Sequence, residues 1–219
     1  MRGYIYLIGG GEIACGETKE IDDIIKQDVI EKSPFVFFGT AAGDSTGYIE
    51  MIQSVFGNKF DIVAATEEKG RRFAIDAIHH ASIIYLGGGT TKLLLDLFER
   101  WELVDVLRQA LERGTNIVGM SAGAQVLSTW YIHEDNDPME LRQGWGFVPV
   151  CLLVHAKEET IEKAKVLWKQ DNSAKQYDFL AIGGRAAWRI DASGKSKIGP
   201  GKVWTESTTL DKRYWPSII

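Results

Sequence analysis

Cysteine is scarce in this chain, and so are histidine, long apolar runs and surplus positive charge. Two cysteines, Cys15 and Cys151, are too few for a disulfide framework and read as buried thiols. Lys and Arg number 25 against 30 Asp and Glu, a net charge of −5. That balance leaves no basic footprint, so nucleic acid is not expected as a partner. No apolar stretch approaches the roughly 20 residues of a membrane span. The first eight residues lead straight into glycines and are too short for a signal peptide. The expectation is a soluble, cytoplasmic protein. Nucleotide motifs are missing too: Gly9-Gly10-Gly11-Glu12 lacks the G-x-G-x-x-G spacing, and no G-x-x-x-x-G-K-[ST] occurs. Glu12 would also repel a phosphate. No cofactor and no metal are called for.

What is present is an ordinary globular core, with 45% hydrophobic residues over 219 positions, read as one α/β domain spanning 1–219. Short apolar runs, Tyr4 to Ile8, Phe35 to Phe38, Phe60 to Ala64, Ile83 to Leu86 and Ile117 to Val118, are expected as parallel strands buried on both faces. Helices are expected between them at Ile21 to Glu31, Thr46 to Phe56, Arg72 to His80 and Thr91 to Glu112, the last closed by Arg113-Gly114. This alternation argues a doubly wound open sheet. After residue 144 the pattern changes: a strand over Phe147 to Val154, a helix over Thr160 to Trp168, then strands at Phe179 to Ile182, Ala186 to Ile190 and Lys202 to Thr205. The last three read as a small antiparallel meander turning at Gly183-Gly184 and Ser193-Gly194.

The most informative segment is Gly119-Met120-Ser121-Ala122-Gly123, set between Asn116-Ile117-Val118 and the helix-compatible stretch Ala124 to Trp130. Strand, Gly-x-Ser-x-Gly, helix is the order of a nucleophile elbow, which presents a serine hydroxyl at a helix N-terminus. The same five residues also suit a plain packing turn, so the motif needs support. It comes from glycine-rich turns at other strand ends, Gly9 to Gly11, Gly39 to Gly43 and Gly87 to Gly89. In an open α/β sheet such ends line the ligand crevice. Bare main chain at Gly87 to Gly89 can offer N–H donors to an oxyanion beside Ser121. A serine nucleophile needs a base. Of the four histidines, His79 and His80 close a helix and His133 sits in a polar loop, whereas His155 follows Cys151 to Val154 at a strand's carboxyl end. His155 is the expected base.

These residues resemble the dipeptidase E and cyanophycinase group of serine peptidases. The likeness runs through Leu7 to Glu12, Phe38 to Ala41, Tyr85 to Thr91, Gly119 to Ala124 and the strand ending in His155. It implies a flavodoxin-like, mostly parallel α/β sandwich with helices on both faces, related to class I glutamine amidotransferases. It further implies an acyl-enzyme on Ser121, His155 as base, and an oxyanion hole from the N–H groups of Ala122 and of Gly88 or Gly89. The substrate class implied is small peptides, aspartyl dipeptides among them. The sequence departs from that pattern in three places. Thr90 stands where the family has Asn. Gly184 aligns with the position of the triad glutamate. His155-Ala156-Lys157-Glu158-Glu159 replaces arginines suited to an acidic substrate. Asp137, or Asp135 beside it, is the substitute third member, although Asn136-Asp137-Pro138 is equally good turn chemistry. The missing glutamate keeps one alternative open: a non-catalytic family member that binds a small molecule or peptide. The seven tryptophans leave a homodimer open.

Overall fold

A computed structural model describes residues 3–29, 33–134 and 138–208. Five strands follow the expected runs: β1 (Ile5–Ile8), β2 (Pro34–Phe38), β3 (Asp61–Ala64), β4 (Ile83–Leu86) and β5 (Asn116–Met120). Seven more come later: β6 (Ser128–His133), β7 (Glu140–Gln143), β8 (Val148–Leu153), β9 (Asp178–Ile182), β10 (Ala187–Asp191), β11 (Gly194–Ile198) and β12 (Val203–Glu206). The first sheet has the order β11-β10-β1-β5-β4-β2-β3. Its strands β1 to β5 are parallel, and β10 and β11 extend it antiparallel.

Both faces of the parallel strands are covered, which is why they read as unbroken apolar runs. Ile5, Leu7, Val36, Phe38, Ile84, Leu86 and Ile117 face one core with helices α3 (Gly70–His80), α4 (Thr91–Arg100), α5 (Leu103–Arg113) and α6 (Ala122–Leu127). The alternate residues Tyr6, Ile8, Phe35, Phe37, Ile83, Tyr85 and Val118 face a second core with Ile21 and Ile25 of α1 (Lys19–Gln27, numbered with α2 as the first two helices) and Ile52 and Phe56 of α2 (Thr46–Phe56). The result is the flavodoxin-like doubly wound α/β arrangement.

The chain departs from the sequence-based expectation at several places, among them α1, which ends at Gln27 short of the expected Glu31. The apolar stretch from Thr91 is two helices, because Glu102 takes a left-handed φ of 54° between α4 and α5. Leu94, Leu97 and Phe98 before the break share a core with Leu103, Leu107 and Leu111 after it, so hydrophobic spacing alone conceals it. Arg71 satisfies the broken end, donating through Nε to the Trp101 carbonyl at 2.7 Å and pairing with Glu102 at 2.8 Å. The elbow helix α6 stops at Leu127: Ser128 to Trp130, expected as helix, and His133, expected in a polar loop, both belong to strand β6. Ser128 Oγ lies 2.7 Å from the Gln125 carbonyl and caps that end.

The expected meander is divided between two sheets. Strand β9 joins a five-stranded sheet of order β12-β9-β8-β6-β7, whereas β10 crosses to pair with β1. Gly183-Gly184 makes this crossing, and the chain turns next at Ala192-Ser193, one residue before the expected Ser193-Gly194, into a strand β11 that the sequence reading did not include. The second sheet packs Tyr131, Val150, Leu152 and Leu180 into the first core. Its other face takes Ile161, Ala164 and Trp168 of α7 (Glu158–Gln170). Cys151 is buried there, its thiol pushed up to about 12 by burial, but Cys15 is exposed rather than buried, and both are free. Among the described residues no helix is long and apolar enough to cross a membrane.

Candidate active site

Ser121 lies between β5 and α6 with φ 51° and ψ −108°, a conformation that costs a non-glycine residue on the order of 1–3 kcal/mol. Its neighbours hold it there: Ser121 N–H donates to the Ile8 carbonyl at 2.9 Å, and Gln125 N–H to the Ser121 carbonyl at 3.0 Å. The flanking glycines are sterically required. A Cβ on Gly119 would lie 2.4 Å from the Gly123 carbonyl oxygen, and one on Gly123 would lie 2.1 Å from that of Leu86. Helix, strand and serine can approach this closely only because both positions are bare.

His155 reaches the same point from the other sheet. It follows β8 with φ 50°, and its N–H donates to the Gly9 carbonyl at 2.8 Å. Its Nε2 sits 2.7 Å from Ser121 Oγ. With Nε2 unprotonated, the hydroxyl donates to it, the geometry needed for proton removal as the serine attacks. Gly10 lies against the imidazole, where a Cβ would come within 2.4 Å of Nδ1. The first glycine turn is therefore the cradle of the histidine, a role its composition did not reveal.

The turn after β4 lies on the opposite side of the serine. Register pairs Leu86 with Gly119, and a Cβ on Gly88 would sit 3.4 Å from Ser121 Cβ. Ala122 opens α6, where a first-turn N–H has no partner in its own helix. Thr90 is the residue before α4, and its N–H is engaged by the Ala41 carbonyl at 2.7 Å. Thr91 Oγ1 hydrogen-bonds Gln125 Oε1, tying α4 to α6.

Asp135 and Asp137 lie outside the described residues. Gly184 is exposed, with open space where a side chain would stand. The acidic stretch after the histidine is less repulsive than its sequence suggests, because Glu158 is paired with Lys202, which holds its carboxyl below the usual range. Sequence reasoning missed two further residues. Tyr48, on α2, accepts a hydrogen bond from Gly88 N–H at 3.0 Å. Arg185 follows β9 with a left-handed φ of 62°, and its N–H donates to the Gly10 carbonyl at 2.9 Å. Among the described residues Arg185 enters no ion pair. Neither residue belongs to a local motif; only the fold brings them beside the elbow.

A strained serine on a strand-to-helix turn, bonded to a histidine at a neighbouring strand end, is the arrangement of a serine hydrolase on an α/β sheet. Comparison with known proteins narrows the class. The model of peptidase family S51 matches residues 5–183, and the chain belongs to that family of serine-type peptidases. It is 29% identical over 159 residues to the uncharacterized peptidase YgaJ of Bacillus subtilis, covering 71% of this chain and 69% of that one. To a peptidase E of Nostoc it is 28% identical over 120 residues, covering 53% and 47%. The crystal structure of a peptidase from an acI-B1 actinobacterium superposes with a TM-score of 0.66, covering 95% of this chain and 96% of that one at 21% identity. That likeness shows the fold.

Proposed function

We propose that this peptidase hydrolyses small peptides through an acyl-enzyme on Ser121, with His155 as general base. The observation that carries the reading is the 2.7 Å contact between Ser121 Oγ and His155 Nε2 at a strained elbow. In the first step His155 takes the hydroxyl proton while Oγ adds to the scissile carbonyl. The oxyanion is met by the Ala122 N–H and by main chain of the Gly87 to Gly89 turn. Collapse expels the amine, which receives the proton from His155. Water then enters, the histidine accepts its proton, and the acid product leaves with Ser121 regenerated.

Aspartyl dipeptides are the first substrates to test. The family resemblance supports them, and so does the placement of Arg185, whose backbone adjoins the His155 cradle and whose guanidinium has no ion-pair partner among the described residues. A carboxylate is the natural complement of such a group. Treatment with a fluorophosphonate probe decides the mechanism. Labelling is expected in the wild type, lost in Ser121→Ala and strongly reduced in His155→Ala. Intact labelling of Ser121→Ala would remove the serine from its role, and an unchanged rate in His155→Ala would remove the histidine. For the substrate, Arg185→Ala should raise KM for aspartyl dipeptides about tenfold with kcat little changed. Equal hydrolysis of aspartyl and neutral dipeptides by the wild type would overturn the acidic preference.

A further inference from the structure

The turn Gly87 to Thr90 is tied down at nearly every amide. Gly87 N–H donates to the Phe38 carbonyl at 3.0 Å, Gly88 N–H to the Tyr48 hydroxyl at 3.0 Å, and Thr90 N–H to the Ala41 carbonyl at 2.7 Å. Among the described residues the Gly89 N–H has no acceptor. One amide is thus left over between two that are clamped, in the segment that packs on Ser121. The clamp on its N-terminal side is a side chain, and that side chain does more than cap one N–H.

Tyr48 is held as a rigid strut. Its ring packs edge-on against Phe37 with centroids 5.0 Å apart. Its Cε1 lies 3.0 Å from where a Gly87 Cβ would be, so a side chain at position 87 would crowd the ring. The hydroxyl accepts from Gly88, and its own proton points towards Met120 Sδ, 3.9 Å away, on the residue before the nucleophile. Sulfur is a weak acceptor, and the buried Tyr85 hydroxyl approaches the same atom more closely, at 3.3 Å. Tyr48 therefore bridges the donor turn and the elbow. Burial pushes its hydroxyl above the usual tyrosine range, so it stays neutral and keeps its proton at working pH.

We infer that Tyr48 is a positioning residue of the oxyanion site: by committing the Gly88 N–H to its hydroxyl, it fixes the next peptide and leaves the Gly89 N–H as the oxyanion donor that works with Ala122. The inference rests on Ser121 being the nucleophile. An oxyanion donor acts only if it is aimed before charge develops, and a turn of three glycines has no side chains of its own to hold that aim. The tyrosine supplies the missing restraint from a separate helix.

The test is Tyr48→Phe, which keeps the ring and its packing and removes only the hydroxyl. With a fluorophosphonate probe, whose phosphoryl oxygen takes the oxyanion position, the maximal labelling rate should fall about 10- to 100-fold, below the full loss of a donor. The probe concentration giving half that rate should stay within about twofold, and so should the pH midpoint of labelling. A role in packing alone would instead leave the maximal rate intact while lowering the melting temperature. Labelling lost in Ser121→Ala but at the wild-type rate in Tyr48→Phe would overturn the inference and leave the nucleophile standing. Labelling that survives Ser121→Ala would overturn both.

Discussion

The two ends of the seven-stranded sheet treat polar groups in opposite ways. Towards the amino ends, Tyr6 donates to Asp28, Arg189 pairs with Asp28 at 3.1 Å, and the same guanidinium lies 4.0 Å over the Tyr4 ring. Burial, then the Asp28 bond, holds the Tyr6 hydroxyl far above its ordinary range. The Asp28 carboxylate serves both partners, Arg189 Nε is left without one among the described residues, and none of these four residues takes a positive φ. At the carboxyl ends the reverse holds. Ser121, His155 and Arg185 all take positive φ angles, and among the described residues the Gly89 and Ala122 amides have no acceptor. The amino end gathers its charged and hydroxyl groups around one carboxylate, and the carboxyl end gathers strained residues and two uncommitted amides around one serine. The contrast separates residues that hold the fold from residues that use it.

That contrast can be broken from either side. The largest effect belongs to the carboxyl end: Ser121→Ala should lower peptide hydrolysis by roughly 10⁴-fold or more with the melting temperature little changed, because alanine keeps the Cβ and the backbone strain and loses only the hydroxyl. His155→Ala should approach the same loss. A normal rate in either would erase the distinction. At the amino end the outcome should invert. Asp28→Ala leaves the Tyr6 hydroxyl and the Arg189 guanidinium without their shared acceptor, and should cost about 2–3 kcal/mol in denaturant unfolding while sparing kcat. A large loss of activity in a folded Asp28→Ala protein would mean that the two ends are coupled.

Asp22 gives a smaller effect with a defined pH signature. It is buried on α1, Thr18 Oγ1 donates to its Oδ2 at 2.8 Å, and its Oδ1 lacks a partner among the described residues. Burial raises its pKa from 3.8 to about 6. The folded state thus holds this proton more tightly than the unfolded chain does. Stability should fall as pH rises from about 4 to 6 and level off above, by at most about 2–3 kcal/mol. Asp22→Asn should flatten that segment of the stability profile, and an unchanged slope would remove Asp22 as its source. The smallest effect is at Glu102, a left-handed residue far from the serine in role. Glu102→Gly should stabilise the chain by roughly 0.5 kcal/mol, the relief of φ exceeding the exposed Arg71 pair. A destabilised variant would show that the ion pair outweighs the strain.

The elements legible in the sequence were those set by local pattern. The runs at Phe35 to Phe38 and Ile83 to Leu86 are strands almost to the residue, and Thr46 to Phe56 is a helix over the expected span. Arg113-Gly114 ends its helix with Gly114 at φ 111°. The elbow too was local, since serine between two glycines after a strand specifies its own turn. The failures were non-local. Nothing near Glu102 signals a break, because the residues that satisfy it lie on α3. Ala186 to Ile190 alternates like any strand, and its choice of β1 over β9 depends on a partner far away in the chain.

The site divides along the same line. The sequence alone determined that Ser121 stands on a tight strand-to-helix turn and that His155 ends an apolar strand, because short-range sterics and hydrophobic pattern decide both. Only tertiary structure decided that two sheets bring Nε2 to 2.7 Å from Oγ. Only it seated the imidazole on Gly10 and set Tyr48 against Gly88. Such contacts join residues whose separation is bridged by packing alone, and packing is a property of the assembled core, which no local window of sequence contains.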